Sequence, residues 1–188
     1  MNHSLCLLYQ SQIDYGVYGG NICTPVCCVV ACNYLLRSDI HQNICRTFSP
    51  AKMDSIMKAS HLMYAECFAV SGVNMMLSEV QAYFPPAIKY QDIAGMTQSE
   101  TPESEKDVEE LIIQPLFKIL VGGLEKRGVE KVIIITRLDH TVCYLFDGHG
   151  HMLCFDPLEA SFRDVTHSWE KTIPLQNTEY SGLILTKR

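Results

Sequence analysis

Apolar residues recur at helical spacing in the first part of this chain and gather into short β-branched runs in its last third. Residues 26–36 are apolar nearly all round and follow Thr24-Pro25, a good helix start, so they predict a buried central helix running to about residue 37. Further helices are predicted at the following segments: 51–66, 73–83 and 107–127.

The last third of the chain predicts a sheet. Residues 131–136 are densely β-branched, which is typical of a buried strand. Two more strands, 140–146 and 151–155, are joined by Asp147-Gly148-His149-Gly150, which has the composition of a hairpin turn. A final strand is predicted at 180–186, and a short extended segment at 5–9. Helices followed by mostly antiparallel strands indicate an α+β fold, with the buried central helix packed on the sheet.

The length of 188 residues is most simply one domain, 1–188, with room for a sizeable core. Residues 97–110 are polar and acidic and offer no apolar face. Such a segment cannot bury enough apolar area to offset the entropy of ordering, so we expect a mobile acidic surface loop inside the domain.

Composition and charge exclude several classes of function for this chain. The net charge of −6 argues against a nucleic-acid partner, which would need a basic footprint. No apolar run is long enough to cross a membrane, and the first residues lack the charged start of a secretory signal. We therefore expect a cytoplasmic, reducing environment, in which the nine cysteines remain thiols. No second ligand pair faces the cysteines of the central helix, so no metal or cofactor is expected.

Cys23 is the candidate nucleophile. It stands at the mouth of the central helix, after Gly19-Gly20, where free N–H groups point outward and a substrate backbone can approach closely. A helix N-terminus and a nearby imidazolium lower the pKa of a thiol and make it a nucleophilic thiolate. Three other cysteines lie deeper in the same helix, where the amides are already hydrogen-bonded: Cys27, Cys28 and Cys32.

Two His–Asp pairs in the predicted hairpin are candidates to complete a triad. His140 begins the first strand and Asp156 ends the second, so the two fall together at the open end, although Asp156-Pro157 is also a typical strand stop. The alternative pair is Asp147 and His149, at the turn. In either case the histidine transfers protons and the carboxylate orients its ring.

An amide side chain upstream of the nucleophile often helps its backbone N–H to stabilise an oxyanion. Gln10 and Gln12 both lie in the right stretch, and the sequence does not choose between them. Asn21 is a weaker third candidate.

These residues give the chain a resemblance to the papain-like cysteine peptidases, and most to their deubiquitinase branches, including the herpesvirus tegument-type ubiquitin-specific proteases. The matching features follow the same order in the chain: Gln10 or Gln12, then Gly20-Asn21-Ile22-Cys23, a second helix from residue 51, and His140-Thr141-Val142. The tegument-type pattern continues with an Asp and a His two residues later, which corresponds here to Asp147 and His149, whereas the general papain-like order fits His140 and Asp156.

The resemblance implies a papain-like fold and a thiol peptidase or isopeptidase that cleaves ubiquitin or a ubiquitin-like modifier from conjugates. Its catalytic residues would be Cys23, His140 and Asp156, with Gln10 or Gln12 at the oxyanion. Two alternatives share the same layout: a catalytically inactive papain-like interaction module, and another thiol-acyl enzyme such as an acyltransferase or deamidase.

Overall fold

The computed structural model describes the following residues: 4–5, 11–15, 21–38, 44–71, 77–92, 96–97, 128–137, 140–168 and 179–188. Four α-helices lie within them: α1 Cys23–Leu35, α2 Ile44–Thr47, α3 Pro50–Ser71 and α4 Leu77–Val80. The strands of the described part are β1 Ser4–Leu5, β2 Ile88–Asp92, β3 Met96–Thr97, β4 Lys131–Arg137, β5 His140–Phe146, β6 Met152–Asp156, β7 Ser161–Asp164 and β8 Glu179–Lys187.

The strands form an antiparallel sheet in the order β1-β7-β6-β5-β4-β8-β2, and β3 pairs with the first two residues of β8. β4 and β5 lie at its centre, so their side chains are buried along almost the whole of β5. Central strands that are covered on both faces are expected to be continuously apolar. This explains why β4 and β5 could be predicted from their sequence.

Helix α1 packs against β5 on one side and α3 on the other, which puts it in the middle of the core. Its residues are buried on almost every side, as its uniformly apolar sequence predicts. Because both the sheet and α3 hold it, the N-terminal end of α1 is fixed against the beginning of β5. None of the helices that the structure describes is both long and apolar enough to span a bilayer.

Several boundaries differ from the sequence prediction. Helix α3 extends to Ser71, five residues beyond the predicted end. Of the predicted third helix, 73–83, the structure describes residues 77–83, which form α4 and a 3₁₀ turn, Gln81–Tyr83. Strands β2, β3 and β7 were not predicted. The expected acidic loop, 97–110, and the expected helix at 107–127 lie outside the described residues, except for Thr97 in β3.

Candidate active site

Cys23 is the first residue of α1 and is only 7% exposed. The N-cap residue, Ile22, makes no side-chain hydrogen bond to the helix end. The first intrahelical bond runs from the Val26 N–H to the Ile22 carbonyl at 3.0 Å, and Pro25 has no N–H to donate. The N–H groups of Cys23 and Thr24 therefore have no intrahelical acceptor and lie at the positive end of the helix dipole.

His140 and Asp156 meet at the open end of the β5–β6 hairpin. Nε2 of His140 lies 2.9 Å from Oδ1 of Asp156, and the two side chains are 15% and 24% exposed. The same Asp156 oxygen accepts the backbone N–H of Leu158 at 2.9 Å, which closes the turn after β6. Asp156 thus serves both as a strand stop and as the partner of His140, two roles between which the sequence left a choice.

Cys23 and His140 are in contact and shift each other's protonation. Burial raises the pKa of the Cys23 thiol, but the hydrogen bond and charge of His140, with hydrogen bonds from the Thr141 side chain and backbone, outweigh it. The pKa of Cys23 therefore lies below its ordinary value. Burial lowers the pKa of His140, but its hydrogen bonds to Asp156 and Cys23 overcome this and raise the pKa to about 9. Both shifts favour a thiolate–imidazolium pair near neutral pH.

The other cysteines of α1 are shifted in the opposite direction. Burial raises the pKa of Cys32 to about 11. It also raises the pKa of the fully buried Cys27, which in addition hydrogen-bonds to Cys143, and that of the fully buried Cys28. Position at the mouth of the helix thus separates Cys23 from three rivals that the sequence spaces along the same apolar run.

Three threonines that the sequence analysis did not consider lie behind this pair. The hydroxyl oxygens of Thr24 and Thr141 are 2.7 Å apart, and those of Thr136 and Thr141 are 2.9 Å apart. The Cys27 thiol donates to the Thr141 carbonyl at 3.4 Å. Thr24 and Thr141 are buried polar residues, at 4% and 0% exposure. Three threonines at the ends of separate elements give no signal in a single sequence, because only the fold brings them together.

The alternative pair at the hairpin turn is used differently. Asp147 Oδ1 accepts the backbone N–H groups of His149 and His151 at 2.7 and 3.1 Å, while its Oδ2 lies 2.8 Å from Nδ1 of His151. The imidazole next to Asp147 is thus that of His151 rather than His149. At roughly 3.4 Å a residue, the seven residues of β5 put this turn about 20 Å from His140.

The oxyanion candidates are only partly described. Gln10, Gly19 and Gly20 lie outside the described residues, and Gln12 begins a short 3₁₀ helix, Gln12–Asp14, whose first side chain is not described. Asn21 is exposed, two residues before Cys23. Among the residues that the structure describes, no three His, Cys, Asp or Glu side chains come together in a way that could hold a metal ion.

Comparison with protein-family models and with curated proteins finds no match for this sequence. Among solved structures, the chain is similar to the ubiquitin-specific protease encoded by the murine cytomegalovirus tegument protein M48, crystallised in complex with a ubiquitin-based suicide substrate. The two are 15% identical, with a TM-score of 0.54, over 95% of this chain and 84% of the other.

This similarity bears on the fold. Helices followed by an antiparallel sheet, with a buried central helix packed on it, make an α+β papain-like arrangement, and the sequence-based prediction of the fold class is confirmed. At 15% identity the likeness to a viral ubiquitin-specific protease shows a shared fold and nothing more, because one fold can carry different chemistries.

Proposed function

We propose that the chain is a thiol peptidase that cleaves the amide or isopeptide bond at the C-terminus of ubiquitin or a ubiquitin-like modifier. The observation that carries the proposal is the continuous hydrogen-bonded series of Cys23, His140 and Asp156, with the thiol at an uncapped helix N-terminus. A nucleophile, a base and an orienting carboxylate in this order are the parts that acyl transfer by a thiol needs.

The order of the reaction steps depends on which ring nitrogen of His140 faces Asp156 and which faces Cys23. Nε2 of His140 is occupied by Asp156, so Nδ1 is left to face the Cys23 sulfur. The Cys23 thiolate attacks the carbonyl carbon, a C–S bond forms, and the oxyanion accepts the Cys23 N–H. His140 then gives its Nδ1 proton to the leaving amine as the C–N bond breaks, which leaves a thioester on Cys23.

The thioester is hydrolysed by the same residues, with His140 now acting as a base instead of an acid. Neutral His140 takes a proton from water, the resulting hydroxide attacks the thioester carbonyl, and the C–S bond breaks to release a carboxylic acid, which loses its proton to the solvent. The thiolate and the imidazolium are restored, so the cycle needs no other reactant. Throughout, Asp156 holds the ring of His140 in the orientation that points Nδ1 at the sulfur.

A macromolecular substrate is supported by apolar side chains exposed next to the triad. Ile13 is 61% exposed and Leu158 is 42% exposed. The Ser11 hydroxyl donates to the Leu158 carbonyl at 3.0 Å, so the segment that carries Ile13 lies against the turn after Asp156. Large exposed apolar residues beside a polar site are typical of protein-binding surfaces. The ubiquitin-like identity of the substrate is supported by the fold of the M48 protease, which was crystallised with a ubiquitin-based substrate.

Release of a fluorescent amine from the C-terminus of ubiquitin tests this function. We expect turnover by the wild-type chain, none by Cys23→Ala, and near wild-type turnover by the matched variant Cys28→Ala, whose thiol lies deeper in the same helix. Wild-type protein that is folded yet releases no amine from ubiquitin or ubiquitin-like proteins would contradict the proposal and favour an inactive interaction module. Transfer of the acyl group to an added amine, with no hydrolysis, would instead indicate an acyltransferase.

A further inference from the structure

Thr141 lies at the centre of a buried hydrogen-bond cluster directly behind the Cys23–His140 pair. It follows His140 in β5, faces Thr136 across the β4–β5 ladder, and touches Thr24 at the mouth of α1. With 0% exposure it has no access to water. A fully buried hydroxyl must find its partners inside the protein, so the arrangement of these partners constrains where its single proton goes.

When Cys23 is ionised, the number of hydroxyl protons in the cluster sets which group donates and which accepts in each hydrogen bond. A hydroxyl donates one hydrogen bond and accepts up to two. Hydrogen bonds from the side chain and the backbone of Thr141 are among the causes that lower the pKa of Cys23. A Thr141 hydroxyl that donates to the sulfur accepts at its oxygen from Thr24 at 2.7 Å and from Thr136 at 2.9 Å. In this arrangement all three hydroxyl protons point toward the sulfur, and such a chain stabilises negative charge at its end.

The backbone of Thr141 is also held. Its carbonyl accepts the Cys27 thiol at 3.4 Å, which ties the second turn of α1 to the same residue of β5 that contacts Cys23. Thr24 Oγ1 makes a second bridge from α1 to that residue. Two bridges between α1 and one strand position fix the distance between the helix mouth and the start of β5, where His140 stands.

We propose that Thr141 is a further catalytic residue that donates a hydrogen bond to the Cys23 thiolate, and that Thr24 and Thr136 are positioning residues that hold its hydroxyl in the donating orientation. The proposal deepens the proposed function, because it concerns the nucleophile of the same site. It does not depend on the substrate, since the stability of the thiolate is a property of the free protein.

The other groups near the sulfur act on it in different ways. Among the residues that the structure describes, His140 on β5 is the cation that acts on Cys23, and Asp156 on β6 acts on it through His140. Cys27 and Cys28 on α1 and Cys143 on β5 lie nearby, and burial keeps Cys27 and Cys28 neutral by raising their pKa. Thr141 therefore supplies a stabilisation of the thiolate that is separate from the charge of His140.

The test measures the rate at which iodoacetamide alkylates Cys23 in the intact chain as a function of pH, with the modified residue identified by peptide mass mapping. Thr141→Val removes the hydroxyl at nearly constant volume. A hydrogen bond to a charged group is worth about tenfold in the thiolate equilibrium, so we expect the alkylation midpoint to rise by about one pH unit. Thr141→Ser, which restores the hydroxyl, should return the midpoint to the wild-type value.

Matched controls separate this role from a purely structural one. Ser60→Ala removes another buried hydroxyl, one that donates to the Ile56 carbonyl within α3 at 2.8 Å, and should leave the midpoint unchanged. Thr24→Val and Thr136→Val should raise it by less than Thr141→Val. A folded Thr141→Val protein with the wild-type midpoint would overturn the proposal. If that variant does not fold, unchanged midpoints in both Thr24→Val and Thr136→Val would overturn it instead.

The same variants distinguish this proposal from the proposed function. On the ubiquitin amide, Thr141→Val should lower kcat and leave KM near the wild-type value, because the substrate does not touch the buried hydroxyl. If the wild-type chain does not cleave that amide but the alkylation midpoints shift as expected, the role of Thr141 stands and the peptidase function fails. If the amide is cleaved but the alkylation midpoints do not move, the peptidase function stands and the proposed role of Thr141 fails.

Discussion

Asp156 binds His140 through Nε2 at 2.9 Å, and this single contact sets which face of the imidazole is available to Cys23. It depends on the antiparallel hairpin β5–β6, because the first residue of one strand and the last residue of the next meet at the same end. Two residues sixteen positions apart thus become neighbours through strand pairing alone. The pair stands where α1 presents its N-terminus, so one end of the sheet gathers all three groups.

Substitutions in the two His–Asp pairs should differ sharply in their effects. His140→Ala removes the proton-transfer group and should reduce turnover on the order of hundreds-fold or more, and Asp156→Asn should reduce it to a similar or smaller degree. His149→Ala should have little effect, since its backbone and not its ring is bonded to Asp147. Steady-state kinetics on the ubiquitin amide measures all three. A large loss in His149→Ala with wild-type activity in His140→Ala would reverse the assignment.

The pH dependence of kcat/KM should follow the Cys23–His140 pair. Turnover needs a thiolate and an imidazolium, so it rises as Cys23 loses its proton, below the ordinary thiol value of 9.0, and falls as His140 loses its proton at about 9. The hydrogen bond to Asp156 is the largest cause that raises the pKa of His140. Asp156→Asn should therefore move the alkaline limb to lower pH, and an unmoved limb would contradict this role for Asp156.

Cys23 should also affect the titration of His140 in the free protein. The hydrogen bond and charge of Cys23 are among the causes that raise the pKa of His140 to about 9. We expect Cys23→Ala to lower the His140 pKa measured by NMR, while Cys28→Ala leaves it unchanged. Coupling between two groups is reciprocal, so a His140 pKa that is insensitive to Cys23→Ala would show that the two do not form an ion pair.

Protonation of His140 should also contribute to stability. Its folded-state pKa of about 9 lies above the ordinary 6.5, so the stabilisation is complete below pH 6.5 and is lost as pH rises through about 9. The difference in unfolding free energy between wild type and His140→Gln should therefore shrink from pH 6 to pH 10. Denaturant titrations at both pH values measure it, and a difference that grows with pH would contradict the sign of the shift.

The exposed apolar residues beside Asp156 should matter for substrate binding and not for chemistry. Ile13→Asp and Leu158→Asp should each raise KM for the ubiquitin amide on the order of threefold to tenfold, with kcat retained. Leu62, which is 64% exposed on α3, provides the matched control Leu62→Asp. Equal KM values for Ile13→Asp, Leu158→Asp and Leu62→Asp would show that the substrate binds elsewhere.

The helix and the hairpin around the site could be predicted from the sequence because each has a characteristic local sequence pattern. Helix α1 carries the helix-start dipeptide Thr24-Pro25 in its first turn and is apolar on almost every side, and the β5–β6 turn carries Gly148 and Gly150, both at positive φ. Once the hairpin is recognised, the meeting of His140 and Asp156 follows from its geometry. This explains why a pairing across two strands could be predicted without a structure.

Edge strands and long-range polar contacts could not be predicted in the same way. In β2 and β7 most side chains are at least partly exposed, so the sequence shows no continuous apolar pattern. The Thr24–Thr141 hydrogen bond joins residues 117 positions apart, and the Ser11–Leu158 bond joins residues 147 positions apart. Threonine and serine are common at helix starts and in turns for local reasons, so their long-range partners become visible only in the folded chain.

A ubiquitin probe carrying a C-terminal electrophile tests most directly whether Cys23 is the nucleophile of a ubiquitin-type peptidase. Intact mass measurement followed by peptide mapping should find one adduct per chain, on Cys23, which is absent in Cys23→Ala and retained in Cys28→Ala. An adduct on any other cysteine, or no adduct on folded wild-type protein that alkylates normally at Cys23, would contradict it.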